Sequence, residues 1–521
     1  MKHLKMERAK NATRNIIFGT VLKMYQIVIP FFMRTAMIFL LGIEYLGLNG
    51  LFASILQVLN LAELGVGTAM VFSMYKPITE DDGQRICALM HLYKVYYRFI
   101  GGLILIAGLL LCPFVPRLIK NGIPGDMNIY ILYLLNLAAT VLSYWLFAYK
   151  NSLLQAYQRS DVISKITLVT NTATYILQFL LLFLFRNYYY FLMTSLMLQA
   201  VNNIFTSFVA DKMFPDYRAK GRLPKDQVKE INHRIRDLFT SKLGTVIVNS
   251  SATLIISAFL GLTALAIYQN YFYLISSAIG FVTVIFSSCT AGIGNSIITE
   301  TEEKNFRDLK KFTFLIAWIA GFCTCSFLCL FQPFMKLWVG EELMLGFSAV
   351  ICFCVYFFLY EVNHLLITYK DAAGIWHEDR YRPLITALTN LILSMILIQF
   401  WGIYGVLFSS FCSMLLVGMP WLLHNLFTVL FKRNQWEYIK GLLRYTLVTA
   451  FVCVITYWVS DRLPKNGLLW FVVQGAVCFT VSNVLFLIIY YRLEEFSEMK
   501  RLIARVSAKM QIRNTSAVVD K

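Results

Sequence analysis

Apolar runs separated by short polar joints recur from Ile16 to Tyr491, and only one polar gap is long. A helix needs about 20 apolar residues to cross the hydrocarbon core. On that ruler the pattern predicts fourteen spans, near 16–41, 50–74, 86–112, 129–149, 162–185, 188–210, 238–260, 268–291, 312–332, 345–369, 383–400, 404–431, 445–460 and 467–491. The thirteenth is short, and the sixth is interrupted by Gln199, Asn202 and Asn203. The runs lack the period-2 alternation of a barrel strand. The expected fold is therefore an all-α integral membrane protein.

The spans repeat. Leu41-Gly42-Ile43, at the end of span 1, matches Leu260-Gly261-Leu262 at the end of span 7, an offset of 219. Pro113-Phe114 matches Pro333-Phe334, and Tyr149-Lys150-Asn151 matches Tyr369-Lys370-Asp371, each at an offset of 220. Landmarks in one order, at one offset and at the same ends of spans, mark a duplication. Each copy has six spans, an even number, so both enter the membrane in the same sense and form a parallel repeat. The expected organisation is an N-terminal lobe (1–211), a basic connector (212–237), a C-terminal lobe (238–431), two further spans (432–491) and a basic amphipathic tail (492–521). The natural place for a substrate in such a duplication is the cleft between the halves.

Composition agrees. The chain of 521 residues is 58% hydrophobic and 15% charged, against about 25% charged in soluble domains. The net charge of +18 would suggest nucleic acid in a soluble protein, but its distribution removes that reading. With the N-terminus inside, 36 of the 47 Lys and Arg face the cytoplasm, 6 face outward, and five (Lys23, Arg34, Lys94, Arg98, Lys242) fall within spans. This bias predicts both termini in the cytoplasm. The first span is too long for a cleaved signal segment. The connector holds eight basic residues together with the helix breakers Pro215, Gly221 and Pro224. In the tail, Leu493, Phe496, Met499, Leu502, Ile503, Val506 and Met510 follow helical spacing, which predicts a basic helix on the inner membrane surface. The eleven cysteines are embedded in apolar sequence without metal-ligand spacing and read as small apolar residues.

Charges inside spans carry the candidate chemistry, because each costs about 2.5–3.5 kcal/mol at a helix centre. Lys23 and Arg34 are eleven residues apart in span 1, so they share a face and lie roughly 16 Å apart along the axis. The repeat offset carries Lys23 onto Lys242. Snorkelling to the interface is the plain alternative for these two lysines. Glu63 in span 2 lies at a depth that could meet Arg98 in span 3, an ion pair that would be structural. Glu361 and His364 are three apart on one face of span 10 and are candidates for ion coupling. No nucleotide-binding glycine loop, cofactor motif or catalytic constellation occurs in the sequence, so neither an enzyme nor a directly ATP-driven pump is expected.

The stretch Leu41-Gly42-Ile43-Glu44-Tyr45-Leu46-Gly47-Leu48-Asn49-Gly50-Leu51-Phe52, followed by Leu61-Ala62-Glu63-Leu64-Gly65-Val66-Gly67 and Tyr75-Lys76-Pro77, resembles polysaccharide (Wzx-type, O-antigen) flippases of the multidrug/oligosaccharidyl-lipid/polysaccharide exporter superfamily. The resemblance implies two lobes opening alternately to each side of a bacterial cytoplasmic membrane. It also implies an oligosaccharide on undecaprenyl pyrophosphate as substrate, with membrane lipids and other polysaccharide-assembly proteins as partners. Arg34, Lys23, Lys242 and Arg98 would then be the substrate-binding cations, offsetting the charge of the pyrophosphate. The alternatives are a cation-coupled multidrug antiporter of the same fold, which should show carboxylates in its cavity, and a membrane-embedded glycosyltransferase or polymerase, which should carry acidic catalytic residues in a sizeable loop.

Overall fold

The computed structural model describes residues 8–120, 123–124, 127–464 and 467–500. Thirteen helices among them are long and apolar enough to cross a membrane, and a bent pair makes a fourteenth. The helices are α1 (Arg8–Leu40), α2 (Ile43–Leu59), α3 (Val66–Thr79), α4 (Gly83–Leu111), α5 (Ile129–Trp145), α6 (Lys150–Ala156), α7 (Ser160–Phe185), α8 (Tyr188–Met213), α9 (Lys225–Leu260), α10 (Leu262–Thr299), α11 (Glu302–Val339), α12 (Phe347–Ala372), α13 (Arg382–Trp401), α14 (Ile403–Ser413), α15 (Met419–Asn425), α16 (Trp436–Asp461) and α17 (Leu468–Tyr490). Side-chain oxygens cap several of them: Asp82 accepts from the Arg85 amide, Asn128 from those of Tyr130 and Ile131, and Thr301 from that of Lys304. These bonds satisfy amides that the first helical turn leaves unpaired.

Four local findings refine the sequence reading. The second span starts at Ile43, not near 50, and it is broken: α2 passes through a 3₁₀ turn, Asn60–Glu63, and restarts at Val66 after Gly65 in the left-handed region (φ 87°). The fourth span bends by 55° between α5 and α6, where Phe147 has φ 58°. The connector is helical from Lys225 onward, with Pro224 preceding the helix and Asp226 in its first turn, where the dipole favours a negative charge. The thirteenth span is a full 26 residues long as α16.

The duplication has a geometric signature. Gly42 (φ 121°, ψ 157°) ends α1 and opens α2, and Gly261 (φ 92°, ψ 178°) ends α9 and opens α10. Only glycine adopts this conformation readily, so the matched glycines make the same turn in both copies. Their downstream mates Lys150 and Lys370 are both buried and both ion-paired. Lys150 contacts Asp211 at 2.5 Å, while Lys370 contacts Asp371 at 2.6 Å and Asp379 at 3.6 Å.

The chain forms two compact units. The first runs to Gln269 and adds Leu391–Val406; the second comprises Asn270–Asn390 and the chain from Leu407. Within the first unit α9 packs on α2 and α3. A side chain at Gly47 would collide with the Leu262 carbonyl, and one at Gly50 with the Gln269 amide. Ser250 donates to Gln57 at 3.2 Å on the same seam.

In the second unit α11 is the centre. Half of its most apolar window is buried, against 17% for α1. Gly321 leaves room for Phe486 and Thr449, Cys325 meets Cys453 at 3.3 Å, and Phe314, Trp318 and Tyr490 pack edge-on or tilted against one another beside them. The start of the tail joins this core. Leu493, Phe496 and Met499 pack against it, and Glu498 pairs with Lys311 at 3.2 Å. The remaining apolar tail positions, Leu502, Ile503, Val506 and Met510, lie outside the described residues.

Candidate functional site

The break in the second span positions Glu63. An unbroken helix would carry the side chain on along its own face; the 3₁₀ turn and left-handed Gly65 hold it against α4. There it accepts a hydrogen bond from Tyr97 Oη at 3.1 Å, and Tyr97 in turn accepts one from Tyr93 Oη at 2.6 Å. Tyr144 packs edge-on against Tyr97. Gly67 keeps the packing here close, since a Cβ would lie 3.0 Å from Tyr93 Oη and 3.2 Å from Glu63 Oε1 and would push on both.

Beside this network lies a cavity of about 430 Å³, lined by Glu63, Gly67, Thr68, Tyr93 and Tyr97, by Phe72 and Tyr75 on α3, and by Asn151 and Gln155 on α6. Lys242 stands next to it. Its Nζ donates to Thr68 Oγ1 at 3.3 Å, and its charge acts on Glu63.

The expected pair of Glu63 with Arg98 does not form. Arg98 is exposed, and the carboxylate is held by Tyr97 instead. The reason is helical phase: residues one apart are rotated by about 100°, so with Tyr97 facing Glu63, Arg98 faces elsewhere. Lys94 lies 5.9 Å from the Tyr149 ring centroid. Lys23 and Lys242 are exposed, Arg34 is half-buried, and all three belong to the first unit.

Glu361 and His364 do come together, in the second unit. Glu361 is fully buried in α12, and His364 Nδ1 lies 3.8 Å from Oε2, within ion-pair range but beyond a hydrogen bond. Among the described residues no protein donor reaches either carboxylate oxygen. Phe286 packs on the imidazole with centroids 4.5 Å apart.

Two further charged clusters were not singled out from the sequence. Asp161, fully buried, takes Arg159 at 2.9 Å and Lys165 at 3.3 Å. Asp379 holds Arg382 at 2.6 Å and accepts from Asn425 at 3.2 Å. Short spacings (159/161/165 and 379/382) were the available signal. Both clusters tie down span ends, each through one buried carboxylate.

No family model matches the chain, and no curated protein does. Solved structures do match. The lipid II flippase MurJ in an inward closed conformation superposes with a TM-score of 0.63 at 15% identity, covering 92% of this chain and 99% of that one. An inward-facing multidrug resistance MATE transporter of the MOP superfamily gives 0.59 at 14% identity, covering 78% and 97%. The fold is that of the MOP-superfamily transporters. A further MOP-superfamily transporter, from Pyrococcus furiosus and described as having a binding pocket of reversed polarity, gives 0.54 at 14% identity, covering 83% and 99%.

Proposed function

We propose that the protein is a flippase that carries an oligosaccharide linked to undecaprenyl pyrophosphate across the bacterial cytoplasmic membrane by alternating access, for cell-surface polysaccharide synthesis. Both termini lie in the cytoplasm, as the distribution of Lys and Arg argues. The observation that carries the reading is the set of cations in the spans of the first unit: Arg34 half-buried in α1, Lys23 exposed eleven residues before it, and Lys242, the repeat mate of Lys23, exposed in α9. A pyrophosphate crossing a low-dielectric region needs such partners. Arg34 supplies a planar fork and the lysines supply mobile point charges. The lipid tail stays in the bilayer while these side chains take the headgroup. The likeness to a lipid II flippase supports a lipid-linked substrate. We assign ion coupling to Glu361 and His364, the buried acid–imidazole pair of α12.

The likeness to MATE transporters and the carboxylate of Glu63 beside a cavity favour a second reading, a cation-coupled drug antiporter. Lys242 next to that carboxylate weighs against it, because it repels a cationic drug.

Deleting the gene and identifying the lipid-linked glycan that accumulates on the inner leaflet tests the proposal. Accumulation is expected, with restoration by the wild-type gene and failure of restoration by Arg34→Ala despite normal membrane levels of the variant. Arg34→Lys should restore part of the export, since the charge remains and the fork is lost. Wild-type levels of export by Arg34→Ala, or no accumulating glycolipid on deletion, would refute the reading.

A further inference from the structure

We propose that the cavity beside the broken second span is a saccharide subsite that holds the sugar nearest the pyrophosphate; this rests on the lipid-linked glycan reading above. At about 430 Å³ the cavity falls within the range of small-molecule pockets, roughly 300–1,000 Å³. Its wall offers what a polyhydroxylated ring requires. Asn151 and Gln155 are four apart on α6 and so share one face, and among the described residues neither side chain makes a hydrogen bond within the protein. Each amide offers both donors and an acceptor, which matches hydroxyl groups that also do both. Glu63 adds acceptor capacity, and its orientation is fixed from behind by Tyr97. Tyr75 presents exposed aromatic surface on which the C–H face of a sugar can pack, and Phe72, edge-on to it with ring centroids 6.0 Å apart, carries the Arg234 guanidinium 4.7 Å from its own centroid.

Other ligand classes fit less well. The polar wall disfavours a lipid chain, Glu63 repels a free anion, and Lys242 repels a bare cation. What remains is a neutral polar molecule. The position of Lys242 sharpens the choice: a residue proposed for the pyrophosphate touches Thr68, which itself lines the cavity. An anion subsite and a saccharide subsite therefore adjoin, as they must when one covalent bond joins sugar to phosphate. Gly67 keeps the floor open, since any side chain there would press on Tyr93 and Glu63.

The test uses the full chain in lipid nanodiscs and saturation-transfer NMR. The probe is the water-soluble repeat-unit glycan released by mild acid from the carrier lipid of the same cells, and it bears no phosphate. The wild-type protein should transfer saturation to the glycan. The Asn151→Ala/Gln155→Ala double variant should weaken its binding about tenfold or more, equivalent to one unit in log Kd, and Gly67→Ala, which alters the same floor without touching either amide, should weaken it too. No transfer with the wild-type protein, or equal affinity in the wild type and both variants, would overturn the inference. Inorganic pyrophosphate binding that depends on Arg34 is a separate measurement. If it persists while the glycan fails to bind, the saccharide subsite is wrong and the flippase reading stands; if gene deletion accumulates no glycolipid, the flippase reading itself is wrong.

Discussion

Glu63 and Glu361 lie well inside spans of this protein, in contrasting settings. Glu63 ends a 3₁₀ turn where the second span is interrupted, takes a hydrogen bond from Tyr97 and borders a cavity with Lys242 beside it. Glu361 lies in the continuous helix α12, fully buried, with His364 as its near partner and no protein hydrogen-bond donor among the described residues. In the first unit the chain gives up regular helix to bring donors to the acid. In the second it keeps the helix and leaves the acid dependent on one imidazole. The cost of an intramembrane carboxylate therefore follows from its neighbours and not from depth alone. A well-supported acid suits a standing role in recognition, whereas a poorly supported one suits a role in which its partner or its charge changes during a cycle.

This contrast can be tested by mutation, read as thermal unfolding of the protein in nanodiscs. The largest effect is expected for His364→Ala, which removes the single near partner of a buried acid and should destabilise the protein by about 3–5 kcal/mol. A change below about 1 kcal/mol would mean that the pair contributes little to holding Glu361. Tyr97→Phe should cost about 1.5–3 kcal/mol, the range for hydrogen bonds to charged groups; no loss would show that Glu63 is not held by that phenol. Glu361→Gln should have the opposite sign and stabilise the protein, because a neutral amide replaces a buried carboxylate that no hydrogen bond among the described residues supports, while gradient-driven transport falls to background. A destabilised Glu361→Gln, or one that retains full coupling, would remove the distinction between the two acids. Arg98→Ala should change stability least, by about 0.5 kcal/mol or less, as for an exposed residue outside any network. A larger loss would revive the Glu63–Arg98 pair.

Much of the fold was legible because membrane spans announce themselves by uninterrupted apolar length. The repeat was legible because glycine at 42 and 261 answers a backbone need that other residues meet poorly. The break at Asn60–Gly65 was not, since small residues such as Gly65 and Gly67 fit close helix packing as readily as a left-handed turn. Lys23, Arg34 and Glu63 stood out as charges in apolar runs. Their partners did not, because pairing depends on the rotation of each helix: a phase difference of one residue separates Tyr97, which meets Glu63, from Arg98, which does not. Asn151 and Gln155 were hidden for a related reason. They lie on the short helix after the bend at Phe147, and only that bend places them at the cavity.

The packing of α16 and α17 on α11 sets an order of events at the ribosome. Cys325 meets Cys453, 128 residues later in the chain. At synthesis rates of about 5–20 residues per second, α11 waits ~6–25 s for the first of these partners. Throughout that interval its glycine- and cysteine-bearing face, which the finished protein covers with Thr449 and Phe486, is inserted without its cover. The last two helices thus complete the second unit during biogenesis, and a nascent chain stalled before Trp436 presents the insertion machinery with an unfinished helix surface.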